Sequence, residues 1–471
     1  MANEDRRDVV AMSFQRRPNE RRTAVMRTKV KYPNGIIYFL LYILIYPVLK
    51  LLFLLKVDRE NYKPPKGPFI VLSNHLSFMD FLLVMLTIYP RRLNVVTAQK
   101  FFLYWPLNKL LPLMGCIPKN LFDTDIRTIA GIKIVLKRGG RVLLFPEGRC
   151  SVDGNYMGIQ KITGGLIKNV AVPVITCNIE GAYNCMPFWR KGTRFGRVRV
   201  TLSNLFTAED TKTLSADEIS LAIDRSLSGM NIPKAAGIFR VFRPKRLAEG
   251  LENIIYYCPE CGREFTLETT GNAICCMACG GTAEMDRYGN LTSTKGNIPK
   301  NVHDWYKMQA IYETRILKEN NELAPAASGG VSKKSFDFAF PARDTEASRE
   351  IVESVKTQVI VRMPLTPGRG IEPCGNGTLW LEPKGWHYDG LISGEEVNLF
   401  FPIETVPAIP FDPNDNFQIY SNRKFYTFTP KNKRACSKYA TIGECAHWLF
   451  TSSRMTPGYD SGFCESIQSI Q

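Results

Sequence analysis

Several familiar signals are missing from this sequence. It has no motif for a redox or nucleotide cofactor, so nothing in the chain points to hydride or nucleotide-driven chemistry. It has no internal repeat, which excludes solenoids and propellers. Its thirteen cysteines lack the short, regular spacing of a disulfide scaffold; nine fall within 116–279, and a reducing compartment fits them better. Histidine is scarce, with four in 471 residues. No apolar run reaches the roughly 20 residues of an ordinary membrane-spanning helix. The basic stretch before the first apolar segment is too long for a signal peptide, and no small-x-small cleavage site follows it.

What is present is positive charge, unevenly placed. The net charge is +17, yet residues 1–250 hold 39 Lys/Arg against 18 Asp/Glu, and residues 251–471 hold 22 against 26. A basic half suits an anionic membrane surface, acidic ligands or nucleic acid. The apolar segment Gly35–Val57 decides for the membrane. Gly35–Leu49 carries no charge, Lys50 interrupts, and Leu51–Leu55 resumes. Pro47 favours a break, and Tyr38, Tyr42 and Tyr46 recur every four residues as an amphipathic face suited to the lipid interface. The expectation is a pair of short helices in one leaflet, monotopic on the cytoplasmic face, with a spanning helix as the alternative. Nine Lys/Arg by residue 31 argue against a buried core helix.

Length suggests two to four domains. Residues 1–33 form a basic, aperiodic tail and 34–57 the membrane-associated segment. From 58 to 235 short apolar runs alternate with helical patterns. Strands are expected at 68–73, 93–98, 141–145, 170–179 and 198–202, and helices at 78–89, 105–113, 125–137 and 158–168. This predicts an α/β domain with a largely parallel sheet, whose ligands gather at strand ends. A basic linker follows at 236–255, including Arg240, Arg243, Lys245 and Arg246. Then come a cysteine-rich segment at 256–285, a helix and linker at 286–334, and a β-rich unit at 335–471 closed by a helix near 443–451.

Two motifs carry chemistry in the α/β part. Asn74-His75-Leu76-Ser77-Phe78-Met79-Asp80 sits where a strand gives way to a helix, so Asp80 can orient the His75 imidazole for acid–base work. Alone, a His-x4-Asp spacing is weak, and Ser77 could be no more than a helix N-cap. Phe145-Pro146-Glu147-Gly148-Arg149 directly follows a buried strand. Gly115-Cys116-Ile117-Pro118-Lys119 and Val172-Pro173-Val174 complete a series of four in order.

In order and spacing these motifs resemble the 1-acylglycerol-3-phosphate acyltransferase family, over about residues 35–230. The resemblance implies that His75 deprotonates a hydroxyl, that Asp80 holds His75, and that Glu147 and Gly148 shape the acceptor site. It implies that Lys119 and Arg149 bind the acceptor's phosphate. The acyl donor would be acyl-CoA or an acyl carrier protein, and the acceptor a lysophospholipid, 1-acylglycerol 3-phosphate first among them. Glycerol 3-phosphate, another lysolipid, or a non-catalytic membrane adaptor are the alternatives. One position departs from the family: Arg149 directly follows Gly148, and Cys150 stands where the family has arginine. Without a second histidine nearby in sequence, Cys150 is a poor candidate nucleophile.

A third motif stands outside that resemblance. Cys258-x2-Cys261-Gly262 and Cys276-x2-Cys279-Gly280 are two knuckles of one zinc ribbon. Four thiolates close the shell, so the zinc is expected to be structural, with iron as the minor alternative. No basic and aromatic surface accompanies it, so no nucleic-acid partner is expected. The last unit resembles pleckstrin-homology-like or GRAM-like domains in pattern, which implies a role in docking lipid or protein, with passive packing as the alternative; membrane lipids are expected partners of the protein as a whole.

Overall fold

Phe69–Ser73 is buried along its whole length, and a strand covered on both faces belongs in the middle of a parallel sheet. It is the central strand of seven. These are β1 (Lys56–Asp58), β2 (Phe69–Ser73), β3 (Asn94–Ala98), β4 (Ile117–Lys119), β5 (Arg141–Leu144), β6 (Val174–Glu180) and β7 (Arg199–Phe206). Their order is β1-β7-β6-β2-β5-β3-β4. β2 to β6 run parallel; β7 is antiparallel to β6, and β1 runs with β7. The structure is a computed structural model that describes residues 30–59, 61–120, 126–160, 162–228, 245–319, 356–366, 368–421 and 424–452. Most of the basic tail, Arg240 and Arg243 of the basic linker, and the linker at 322–334 lie outside the described residues.

The helices of this domain are α1 (Gly35–Leu52), α2 (Asp80–Thr87), α3 (Leu107–Leu113), α4 (Ile126–Lys137), α5 (Ile162–Val170), α6 (Ala182–Cys185), α7 (Ala208–Thr213) and α8 (Ala216–Ser228). Alternate side chains of β2 feed the two sides of the sheet. Val71 packs with Tyr38 of α1 and Leu83 of α2; Ile70 and Leu72 pack with Ile132 of α4, Ile167 of α5 and Ile219 of α8. This is the expected α/β layering. The helix expected at 158–168 begins only at Ile162.

The apolar segment corrects its expectation in two ways. It is one helix, not a pair, because Pro47 is carried inside α1 without ending it. Asn34 caps it, its side chain accepting from the N–H groups of Ile36 (2.9 Å) and Ile37 (3.2 Å). Its tyrosine face does not look outward. Tyr38 is fully buried, and its hydroxyl accepts from the Leu93 N–H at 3.0 Å and donates to the Leu93 carbonyl at 2.5 Å. Tyr42 stacks on Tyr89 with ring centroids 4.2 Å apart. The outward face is apolar and mostly aliphatic, with Ile36, Phe39, Leu40, Leu44, Val48 and Leu51 exposed. A helix of 18 residues is about 27 Å long, near the thickness of a hydrocarbon core.

Beyond residue 245 the chain forms one further body. β8 (Leu267–Thr270), β9 (Ala273–Cys276), β10 (Thr282–Met285) and β11 (Leu291–Lys295) make an antiparallel sheet in the order β11-β10-β9-β8. This sheet runs from Leu267 to Lys295. Helix α9 (Val302–Glu319) follows. The last unit has β12 (Thr357–Met363), β13 (Glu372–Glu382), β14 (Gly385–Ile392), β15 (Glu395–Pro402), β16 (Phe411–Asp412), β17 (Asn416–Ser421) and β18 (Lys424–Pro430), closed by α10 (Cys436–Ser452). Its order, β15-β14-β13-β12-β18-β17-β16, is antiparallel throughout. This four-stranded sheet, α9 and the β unit share one continuous apolar core that includes Tyr257, Trp305, Trp386 and Tyr439.

Candidate functional site

The pairing Leu72↔Leu144 sets β2 beside β5 in parallel, so both strands release their chains at the same end of the sheet. That register brings His75 and Glu147, 72 residues apart, into contact. The Glu147 carboxylate accepts from the His75 N–H at 2.7 Å and from the Met157 N–H at 3.0 Å. Burial pushes its pKa up to about 8, against the pull of the backbone donors of Met157 and His75.

Asp80 is fully buried at the start of α2. One of its oxygens meets His75 Nδ1 at 3.0 Å and accepts from the N–H groups of Leu76 (2.6 Å) and Ser77 (2.7 Å). The Ser77 hydroxyl donates to the other. Ser77 is thus no N-cap: that position belongs to Met79, which makes no side-chain cap bond, and Ser77 instead holds the carboxylate. Three donors, the N–H groups of Leu76 and Ser77 and the Ser77 hydroxyl, already surround this acceptor; a neutral imidazole facing it through Nδ1 donates from Nδ1 and leaves Nε2 its lone pair. The His75 side chain is 22% exposed, while that of Asp80 is shut away from solvent. Phe145 stacks on the imidazole with centroids 4.3 Å apart. Asn74 locks the loop to β6, its amide donating to the Ile179 carbonyl at 2.8 Å and accepting from the Ile179 N–H at 2.7 Å.

Gly148 has φ +82°, a backbone conformation that L side chains rarely adopt, so glycine is favoured there; a Cβ would also lie 2.1 Å from Gln160 Nε2 and push the end of that side chain aside. Lys119, at the end of β4, donates to Gln160 Oε1 at 3.1 Å, so Gly148 and Lys119 meet around one glutamine. Arg149 departs from its expected place. Its guanidinium is 14% exposed and bidentate on Glu444 of α10, with Nη2 to Oε2 at 2.9 Å. Sequence reasoning misses Glu444, and also the pair of Asp153 with His303 at 2.7 Å. Nothing local in the sequence couples residues 295 and 150 positions apart.

Cys258, Cys261, Cys276 and Cys279 lie together. All four sulfurs lie within 4.8 Å of one another, with Cys258 Sγ to Cys279 Sγ at 3.8 Å and Cys261 Sγ to Cys276 Sγ at 3.7 Å. A tetrahedron with Zn–S arms of about 2.3 Å has S···S edges of about 3.8 Å, so the residues fit a four-thiolate metal site. The knuckles match each other. Gly262 N–H returns to the Cys258 carbonyl and Gly280 N–H to the Cys276 carbonyl, at 2.9 and 2.8 Å, with both glycines at positive φ, 71° and 74°.

The Acyltransferase family model matches residues 55–180, the segment that holds both motif loops. A 1-acyl-sn-glycerol-3-phosphate acyltransferase of Chlamydomonas reinhardtii is 25% identical over 174 residues, 36% of this chain and 52% of that protein. Chloroplastic enzymes of the same name match over 146 residues each. That of Brassica napus is 25% identical, covering 30% of this chain and 42% of its own; that of Arabidopsis thaliana is 26% identical, covering 30% and 40%. The chain thus spans about half or less of the length of these relatives. Among solved structures, the 1-acyl-sn-glycerophosphate acyltransferase PlsC of Thermotoga maritima is similar with a TM-score of 0.38 and 20% identity, over 42% of this chain and 80% of that one. The chain carries an acyltransferase domain. That domain is similar in sequence to 1-acyl-sn-glycerol-3-phosphate acyltransferases.

Proposed function

We propose that this protein transfers a fatty acyl group from acyl-CoA or an acyl carrier protein to the free hydroxyl of a lysophospholipid, with 1-acylglycerol 3-phosphate as the acceptor and phosphatidic acid as the product. The observation that carries the reading is the His75–Asp80 pair, buried on the Asp80 side and open on the His75 side. A glycerol hydroxyl is a poor nucleophile at neutral pH, so its proton must leave as it attacks. His75 Nε2 takes that proton while the oxygen adds to the thioester carbonyl; the C–S bond then breaks, and the thiolate leaves with the proton from His75. Asp80 holds the tautomer and stabilises the imidazolium. Glu147 sets the His75 backbone, and Gly148 leaves room beside it.

Lys119 is the cation we assign to the acceptor phosphate. Arg149 belongs less readily to that role, because its guanidinium already meets a carboxylate. The cluster of Cys258, Cys261, Cys276 and Cys279 would hold zinc as a structural ion with no open position. The outward apolar face of α1 would seat the protein in a membrane from the cytoplasmic side, and the C-terminal β unit, of pleckstrin-homology-like pattern, would add docking surface.

Acyl transfer assayed with a panel of lysolipid acceptors and glycerol 3-phosphate tests this reading. His75→Ala should lose on the order of 10²–10⁴ in turnover, and Asp80→Asn most of its activity, with protein still folded and membrane-bound. Near-native transfer by His75→Ala would overturn the mechanism and favour a non-catalytic adaptor.

A further inference from the structure

The segment that follows β5, from Phe145 to Gln160, has neither helix nor strand, yet it grips His75 by both backbone groups. Glu147 accepts from the His75 N–H at 2.7 Å, and the Ser151 N–H donates to the His75 carbonyl at 2.8 Å. The position of this irregular segment therefore sets the position of His75. The segment is in turn held by the second body. Arg149 is bidentate on Glu444 of α10, and Asp153 meets His303 of α9 at 2.7 Å. Glu444 is itself oriented, since the Ile409 N–H donates to it at 3.2 Å.

Two ion pairs, Arg149–Glu444 buried and Asp153–His303 buried on the Asp153 side with His303 partly exposed, are a costly way to join two bodies. Desolvation offsets most of their attraction, and apolar side chains of similar volume would often hold as well. What such pairs supply is one geometry with directional, bidentate contacts. Both land within residues 147–153, the stretch that carries the two bonds to His75. The interdomain pair of Lys100 with Asp412, at 3.4 Å, lies elsewhere and leaves Asp412 about half exposed.

We infer that Glu444 and His303 are positioning residues of the acyltransferase site: the C-terminal body braces residues 147–153, and through them His75. The inference rests on His75 being the base. It gives the zinc ribbon, α9 and the β unit a part in turnover besides any docking, and it makes Arg149 a brace contact and not a phosphate ligand. A shift of about 1 Å in a reacting group can cost on the order of 100-fold, so a loosened brace should show in kcat.

The test uses the full-length, membrane-reconstituted protein and measures kcat and KM for a phosphate-bearing lysolipid and a neutral one. Glu444→Gln, Arg149→Met and His303→Gln should each lower kcat about 10- to 100-fold, with KM for both acceptors changed less than about threefold. The double variant Arg149→Met with Glu444→Gln should be little worse than either single one, because the two side chains act as a unit. Hydrogen exchange should rise in residues 145–160 in each variant, and Asp412→Asn should leave kcat and exchange unchanged. A Glu444→Gln protein with native kcat would overturn the brace. So would an Arg149→Met protein whose only defect is a raised KM for the phosphate-bearing acceptor, which would return Arg149 to that phosphate. A His75→Ala protein that remained active would overturn the reading of the base itself, a result separable from these because it does not involve α9 or α10.

Discussion

The side chain of Glu147 and the backbone of His75 form the bond that joins the two motif loops, and Glu147 commits both its oxygens to backbone donors, His75 and Met157. Glutamine is its nearest isostere, but an amide nitrogen cannot accept from a backbone N–H. Glu147→Gln should therefore leave one buried donor unpaired, cost about 1–3 kcal/mol of stability, and lower kcat at least tenfold. Thermal unfolding together with acyl transfer checks this. Glu147→Gln with native kcat would mean that the loop is held by its other bonds alone.

The four-cysteine cluster should carry one tightly held zinc per chain. Metal binding and folding are coupled when a site forms only in the folded state. Cys261→Ser should thus destabilise residues 256–295, and through the shared apolar core the β unit as well, while leaving His75 and Asp80 chemically intact. Elemental analysis of native protein, and proteolysis of the variant, read the two effects. Native protein with no metal would remove the site.

The Asp153–His303 pair predicts a pH dependence. Burial alone would lower the His303 pKa, but the hydrogen bond and charge of Asp153, helped by Asp304 and opposed by Lys307, raise it above the usual value. Burial would likewise raise Asp153, yet His303, the Asn155 N–H and Ser151 hold it below the usual carboxylate value. A raised histidine stabilises fully below its unfolded pKa, about 6.5, and loses that contribution as pH rises through the folded value. A lowered aspartate stabilises above its unfolded pKa, about 3.9, and loses it as pH falls through the folded value. The pair is therefore strongest between about pH 4 and 6.5. The melting-temperature advantage of the native protein over His303→Gln should be largest near pH 6 and shrink towards pH 9. A difference that did not vary with pH would deny the pair its charge.

Leu40 and Leu44 are exposed on α1, so charging them should not disturb the fold. Leu40→Asp with Leu44→Asp should release the protein from membranes in a flotation assay and leave thermal stability within about 0.5 kcal/mol per site. Continued flotation would place the attachment elsewhere.

Much of this is legible locally. The strands on either side of the dyad announce themselves as apolar runs, and the loops after them carry the motifs; the knuckles are complete between Cys258 and Cys279. Other features are not. The tyrosines of α1 have a helical period, but a period identifies a face without saying what meets it, and Tyr38 faces Leu93, not lipid. Arg149 reads as a free cation beside a glycine because its partner is 295 residues away. Pairings of that range follow only from how the two bodies pack.

Tyr38 pins α1 to the chain entering β3, and the same sheet presents His75 at its end. With the helix lying in lipid, the imidazole would work at one fixed depth and tilt, as a tool on a rigid mount. Acceptors would then arrive by lateral diffusion, and the rate would follow their mole fraction in the bilayer and fall on dilution with inert lipid at constant bulk concentration.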